Sequence, residues 1–167
     1  NHLKKNIIGG YVLSCIGDER SYSLMPTKYG NSISDVAAKK AFNKLNIKYK
    51  KYSFLERGSD ERQFNSPGVD LPIASITRSI YGKYPEYHTS LDDFNLVTQK
   101  GIEGGFNVAR EAVNSLINKI IPKNVMLCEP QMGKRGLYPT LSTTANKSTT
   151  KNYMNFLQYA DGNNSLE

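Results

Sequence analysis

The chain has 167 residues, of which 38% are apolar and 22% charged, and it carries a formal charge of +7. That is enough material for one compact domain with a buried core, and the balance excludes a disordered or fibrous polymer. No apolar run approaches the roughly 20 residues of a membrane-spanning helix, and no secretory leader core opens the sequence, so no membrane partner is expected.

The first apolar run, residues 7–16, is short enough for a buried strand, although Gly9-Gly10 delays its start. Residues 18–30 are polar and punctuated by Pro26 and Gly30, which predicts a loop. Ser32 and Asp35 then have capping-box spacing, and Ile33, Val36, Ala37, Ala41 and Leu45 follow at helical intervals, ending near Asn46. Residues 48–54 alternate weakly and carry lysines, as a strand near a sheet edge does.

Residues 71–77 predict a second buried strand, and a long loop spans 78–97. A strong helix follows, capped by Thr98, with Ile102, Phe106, Ala109, Val113, Leu116, Ile117 and Ile120 on its expected core face and Pro122 beyond its end. Residues 124–129 fit a last strand or an extended segment. From Pro130 onward Gly, Pro, Ser and Thr predict a loop, before a short helix with Tyr153, Phe156, Leu157 and Ala160 on one face and Gly162 as its stop. Cys15 and Cys128 both sit in apolar runs, where buried free thiols in a reducing cytoplasm are the expected reading and a disulfide the other.

This order predicts an α/β fold with a mixed, mostly parallel sheet flanked by helices. The lysines are dispersed, with small groups at Lys39-Lys40 and Lys48 to Lys51, and they show no aromatic-basic interleaving of an RNA-binding kind. A solvated basic face is therefore expected, and nucleic acid is not an expected partner of this stretch.

Chemistry concentrates between Arg57 and Asp93. This long connection between a buried strand and a capped helix holds His88, one of two histidines, with Asp92 and Asp93 four and five residues on. Loops at strand ends are where α/β proteins build sites, and a nearby carboxylate can orient an imidazole toward a metal. Tyr81, Tyr84, Tyr87 and Arg78 are candidates to shape a pocket. Arg57 and Arg62 either pair with Asp60 or meet a substrate carboxylate.

The wider pattern resembles a known family. Ser59-Asp60 with Phe64, then Gly68 to Pro72, then Tyr87-His88-Thr89 with Asp92, is similar to the closing motif of co-catalytic zinc aminopeptidases and glutaminyl cyclases. The strings CIGDERSYS, FLERGSDERQF, YPEYHTSLDD and EPQMGKRGLYPTLST more closely resemble a group of bacterial aminopeptidase-like proteins associated with polysaccharide biosynthesis, which carry a winged helix after the peptidase-like domain. The resemblance runs from about Ile8 to Leu166. It implies a partial zinc-aminopeptidase (phosphorylase/hydrolase-like) fold, with 1–129 as the C-terminal portion of the α/β domain and 130–167 leading toward a further module, for which Lys134-Arg135-Gly136 is a docking loop.

It also implies one or two zinc ions and a peptide or other amine-bearing substrate. His88 would be a metal ligand, supported from behind by Asp92, with Asp60 near the metals. Glu61 stands where the family has a histidine. Ser14 falls where the family has a ligand aspartate, and Asp18 either supplies that carboxylate or is a plain turn residue. The general-base glutamate and the remaining ligands are expected N-terminal to residue 1, in the other half of the domain, and His2 is not assigned to that set. Three functional readings follow: a zinc-dependent hydrolase when intact, a non-catalytic binding module on the same fold, and a regulator.

Overall fold

The computed structural model describes residues 2–118, 121–136 and 147–164. They form two compact units, one up to Asn118 and the other from Lys119 onward. In the first unit the order is α1 (His2–Asn6), β1 (Gly10–Leu13), β2 (Ser23–Met25), α2 (Ile33–Lys44), β3 (Lys50–Lys51), α3 (Glu61–Phe64), β4 (Ile73–Thr77) and α4 (Gln99–Ile117); the second contains α5 (Lys147–Tyr159).

The four strands make one sheet in the order β1-β4-β2-β3. β1 runs parallel to β4 and β2 parallel to β3, while β2 is antiparallel to β4, so the sheet is mixed with parallel pairs in the majority. β2 lies inside the span 18–30 that the sequence predicts as a loop. Its three residues are wholly buried, and Ser23 satisfies its hydroxyl by donating to the Arg78 carbonyl at 2.8 Å. A three-residue strand lacks the length to show alternation, which is why no period announces it. β1 and β3 are shorter than the runs 7–16 and 48–54. After Leu13 the chain turns through Cys15 at φ 50°, and after Lys51 a Ser53-capped 3-10 turn ends the extended stretch.

One sheet face carries the core. Ala74 and Ile76 of β4 and Leu24 of β2 meet Ala38, Ala41 and Phe42 of α2 and Val108 and Ala112 of α4. Each large side chain so buried contributes about 1.5–3 kcal/mol. Phe42 also stacks on Tyr49 at 4.1 Å. α2 begins in the expected capping box: Ser32 accepts from the Asp35 N–H, and the Asp35 carboxylate accepts from the Ser32 N–H at 2.8 Å. Asp35 is fully buried, and it also accepts from both the backbone and the hydroxyl of Thr27, so this cap ties the β2–α2 loop to the helix.

α4 departs from its expected face. Thr98 caps it as predicted, accepting from the Gly101 N–H at 2.9 Å. The buried positions, however, are Gly101, Gly105, Val108, Ala109, Ala112 and Leu116, while Ile102, Phe106, Val113 and Ile117 are exposed. Close approach selects the small residues: a Cβ on Gly101 would lie 1.8 Å from the Gly17 carbonyl oxygen. Hydrophobic periodicity found the helix but chose its larger residues as the inner face. Ile120 falls outside the described residues.

In the second unit, residues 124–129 form no strand. Val125 and Leu127 are almost fully exposed, and the one described ladder contact is an isolated bridge between Lys123 and Asp161. α5 starts earlier than the expected short helix, with Tyr153 and Phe156 half exposed and Ala160 buried. Lys134 and Arg135 lie in an exposed 3-10 turn that closes at Gly136, φ 65°. The loop stretch 137–146 lies outside the described residues. The units meet at 118/119 rather than at the expected 129/130, because residues 124–129 do not join the sheet. Both cysteines are free, yet neither is buried: Cys15 is half-buried and Cys128 exposed, each at positive φ outside any strand.

Candidate functional site

The C-terminal ends of β1 and β4 lie side by side, and the antiparallel β2 enters at the same end. Three segments therefore converge there: residues 14–22, residues 78–97, and the N-terminus of α4. In sheets of this kind ligands bind outside the carboxyl ends of the strands.

Asp18 holds this rim together. It is buried, and its carboxylate accepts from the Ser79 N–H and hydroxyl and from the Arg20 N–H, each at 2.8 Å. Both oxygens are thus engaged in joining the β1–β2 loop to the end of β4. Arg78 is also a fastener, not a pocket wall. It is buried, its Nε donates to the Ser21 carbonyl at 2.8 Å, and its guanidinium lies 3.8 Å over the Tyr22 ring. Glu19 at the mouth accepts from Thr98 at 2.7 Å and pairs with Lys100 at 2.9 Å, and these contacts hold its carboxyl below the ordinary range.

Glu61 and Tyr81 form a second group. Glu61 is the first residue of α3 and fully buried. Its Oε1 accepts from the N–H groups of Gly58 and Ser59 at 2.9 and 3.0 Å and from the Tyr81 hydroxyl at 2.7 Å. The Gly58 N–H also donates to the Tyr81 oxygen at 2.8 Å. Burial, followed by the Glu61 contact, pushes the Tyr81 hydroxyl well above its usual pKa. Glu61 Oε2 and the Thr77 hydroxyl are buried without a hydrogen-bond partner among the described residues.

His88 sits in a turn closed by the Thr89 N–H donating to the Glu86 carbonyl at 3.1 Å. Its φ of 59° places it in the left-handed region, which costs a non-glycine residue on the order of 1–2 kcal/mol. The imidazole stacks on Tyr87 at 4.0 Å and is exposed, and Tyr87 meets Tyr84 edge-on at 5.6 Å. Arg20 anchors the base of this turn through two bonds to Glu86, at 2.7 and 2.8 Å. That pairing draws the Glu86 carboxyl down to about 2. Tyr84 is shifted up, by burial first and then by its hydrogen bond with Cys15.

The predicted residues are therefore only partly brought together. Asp60 and Arg62 are both exposed, and Asp60 makes no side-chain cap bond to α3. Arg57 turns to the Phe54 ring, 5.1 Å away. Asp92 is exposed in the turn after Thr89, and Asp93 caps Asn95 at 2.8 Å. Among the described residues no three His, Cys, Asp or Glu side chains converge as a metal site would require. Ser14 meets the Cys15 sulfur at 3.7 Å, and Asp18 is already committed to three donors. These residues alone do not fit a complete zinc site. Sequence reading missed Ser79 and Arg20, which set the rim's geometry together with Glu86. The D-x-R spacing of Asp18 and Arg20 was the available signal for a side chain turning back on its own backbone.

A mixed sheet flanked by helices, with its loops gathered at the strand ends, defines an α/β protein of the zinc-aminopeptidase fold. The aminopeptidase from Aneurinibacillus sp. strain AM-1 superposes with a TM-score of 0.56 at 19% identity, covering 68% of this chain and 26% of that one. The zinc aminopeptidase from Bacillus subtilis gives 0.54 at 16%, covering 66% and 28%. Far more similar is a crystal structure from Clostridium acetobutylicum, provisionally named a peptidase, with a TM-score of 0.71 at 33% identity over 98% of this chain and 36% of that one.

The chain belongs to the family described as Domain of unknown function (DUF4910), whose profile matches residues 1–119. A winged helix-turn-helix profile matches residues 120–166, within the stretch read as leading toward such a module. A C. acetobutylicum protein, provisionally named for polysaccharide biosynthesis with an aminopeptidase-like domain, is 35% identical over 97% of this chain. The chain spans 38% of that relative's length.

Proposed function

We propose that this chain supplies one side of a zinc-dependent, aminopeptidase-like hydrolase site, and that the intact protein cleaves the amide bond of a peptide or other amine-bearing substrate in the cytoplasm. The observation that carries this is His88. It is an exposed imidazole held at positive φ, on a turn anchored by Glu86 and Arg20, at the end of a parallel strand pair. Backbone strain at such a position is characteristic of sites whose geometry serves chemistry. The name of one fold neighbour, the zinc aminopeptidase from Bacillus subtilis, supports zinc as the metal. The chain's own contribution is one imidazole and a rigid rim, and the other ligands and the general base come from the rest of the full-length protein.

Glu61 favours a second reading, a binding module on the same fold. The resemblance expects a histidine there, and the carboxylate is instead taken up by Gly58, Ser59 and Tyr81.

Zinc content decides between the two. The full-length protein, purified without chelator, should hold one to two zinc ions per chain, and His88→Ala should clearly lower that number while leaving the fold intact by circular dichroism. No zinc in either protein after metal is added back would sink the hydrolase reading and leave the binding module.

A further inference from the structure

We infer that α3 and β4 enclose a binding site for a small monovalent cation, potassium or sodium, held by the free oxygen of Glu61 and the hydroxyl of Thr77. β4 is buried along its whole length. Ala74 and Ile76 point into the core against α2 and α4, so by the two-residue period of a strand Ser75 and Thr77 point the other way. That second face is polar. Ser23 of β2 stands directly opposite Thr77 in the antiparallel ladder, and all three hydroxyl side chains are shielded from solvent. α3 also packs on β4, and with the core face taken by α2 and α4 this is the face left to it. Asn65, just past the end of α3, donates from Nδ2 to the Ile73 carbonyl at 2.8 Å. Glu61, one turn earlier, accepts from the Tyr81 hydroxyl beyond the end of β4.

The other polar groups of this face have partners. Ser23 donates to the Arg78 carbonyl at 2.8 Å, and Ser75 to the Val12 carbonyl at 3.4 Å. Thr77 Oγ1 and Glu61 Oε2 have none among the described residues, although Thr77 is 1% exposed and Glu61 0%. They do not bond to each other. Two unmet buried oxygens on one packed face call for a bound water or ion.

Charge decides between the two. All three donors to Glu61, the N–H groups of Gly58 and Ser59 and the Tyr81 hydroxyl, are neutral and converge on Oε1. Among the described residues no salt bridge brings a basic side chain to Glu61. A buried carboxylate without a counter-charge is costly, and a water leaves the charge unbalanced. A monovalent cation balances it one for one, whereas a divalent ion leaves an excess positive charge. Hard oxygen donors suit an alkali cation, with carbonyls and water completing its shell. Occupancy ties α3 to β4 and to Tyr81, near the start of the loop that carries His88. The inference does not depend on the hydrolase reading, because a binding module on this fold has the same buried carboxylate.

The test uses the full-length protein in two measurements. Crystals grown with thallium(I) in place of potassium should show anomalous density beside Glu61 Oε2 and Thr77 Oγ1. Thermal unfolding is compared in potassium, sodium and choline chloride at equal ionic strength. The midpoint should be higher by about 2 °C or more in one of the alkali salts than in choline. Glu61→Gln, which removes the charge and keeps the shape, and Thr77→Val, which removes the hydroxyl, should each abolish that difference. Absence of anomalous density with equal midpoints in the three salts overturns the inference, and assigns the two oxygens to a water or a proton. So does a midpoint difference that persists unchanged in both variants, which would place the cation elsewhere.

Discussion

Asp18 illustrates how a single side chain can look like a ligand in sequence and act as a fastener in space. It lies one residue past Gly17 in a strand-end loop, close to where the resemblance places a ligand aspartate, yet it spends both oxygens on Ser79 and Arg20. Asp18→Ala should cost the first unit about 3 kcal/mol in urea unfolding, because three donors lose a buried partner, whereas Ser79→Ala should cost about 1 kcal/mol. Glu86 gives a pH signature. Its carboxyl falls from an ordinary 4.5 to about 2 in the folded chain, so its contribution is complete above 4.5 and is lost as pH falls toward 2. Arg20→Ala should return the Glu86 titration, followed by side-chain NMR, to the neighbourhood of 4.5, and the His88 turn should loosen with it.

At the scale of elements, α4 shows what decides a helix face when two are apolar. The larger residues give the stronger periodic signal, but the inner face belongs to glycines and alanines because the helix rests against backbone. Gly101→Ala should destabilise the first unit by about 3 kcal/mol, because its methyl would meet the Gly17 carbonyl and the backbone has nowhere to move. A Phe106→Glu change in the chain alone should shift the same urea midpoint by less than about 0.5 kcal/mol, its position being exposed. Equal losses from the two would overturn the face assignment.

At the scale of the whole molecule, sequence reading reached the fold class through α2, β4 and α4, whose caps and burial pattern are local properties. It missed β2, whose place in the sheet depends on Thr77, Ile76 and Ser75 across the ladder, 50 or more residues away in sequence. The sequence points to the stretch between Arg57 and Asp93, which the structure divides among α3, β4 and the connections around them, whereas the roles of Asp18, Glu61 and Arg78 depend on burial and partners that no spacing encodes. The boundary at 118/119 was obscured for a similar reason. Residues 124–129 have the composition of a strand but no ladder to join.

The reversal of β2 has a bearing on folding order. β1 and β2 are joined by nine residues, yet β4, the last of the described strands, lies between them. The connection from Ser14 to Tyr22 is thus a bridge left open until the final strand arrives. The contacts of Asp18 with Ser79, separated by 61 residues, wait on that arrival. Closing so long a loop is among the slower events available to a chain of this size. The rim therefore takes shape only in molecules whose sheet is finished, and a half-folded chain presents His88 on an unanchored turn, with nothing yet behind it.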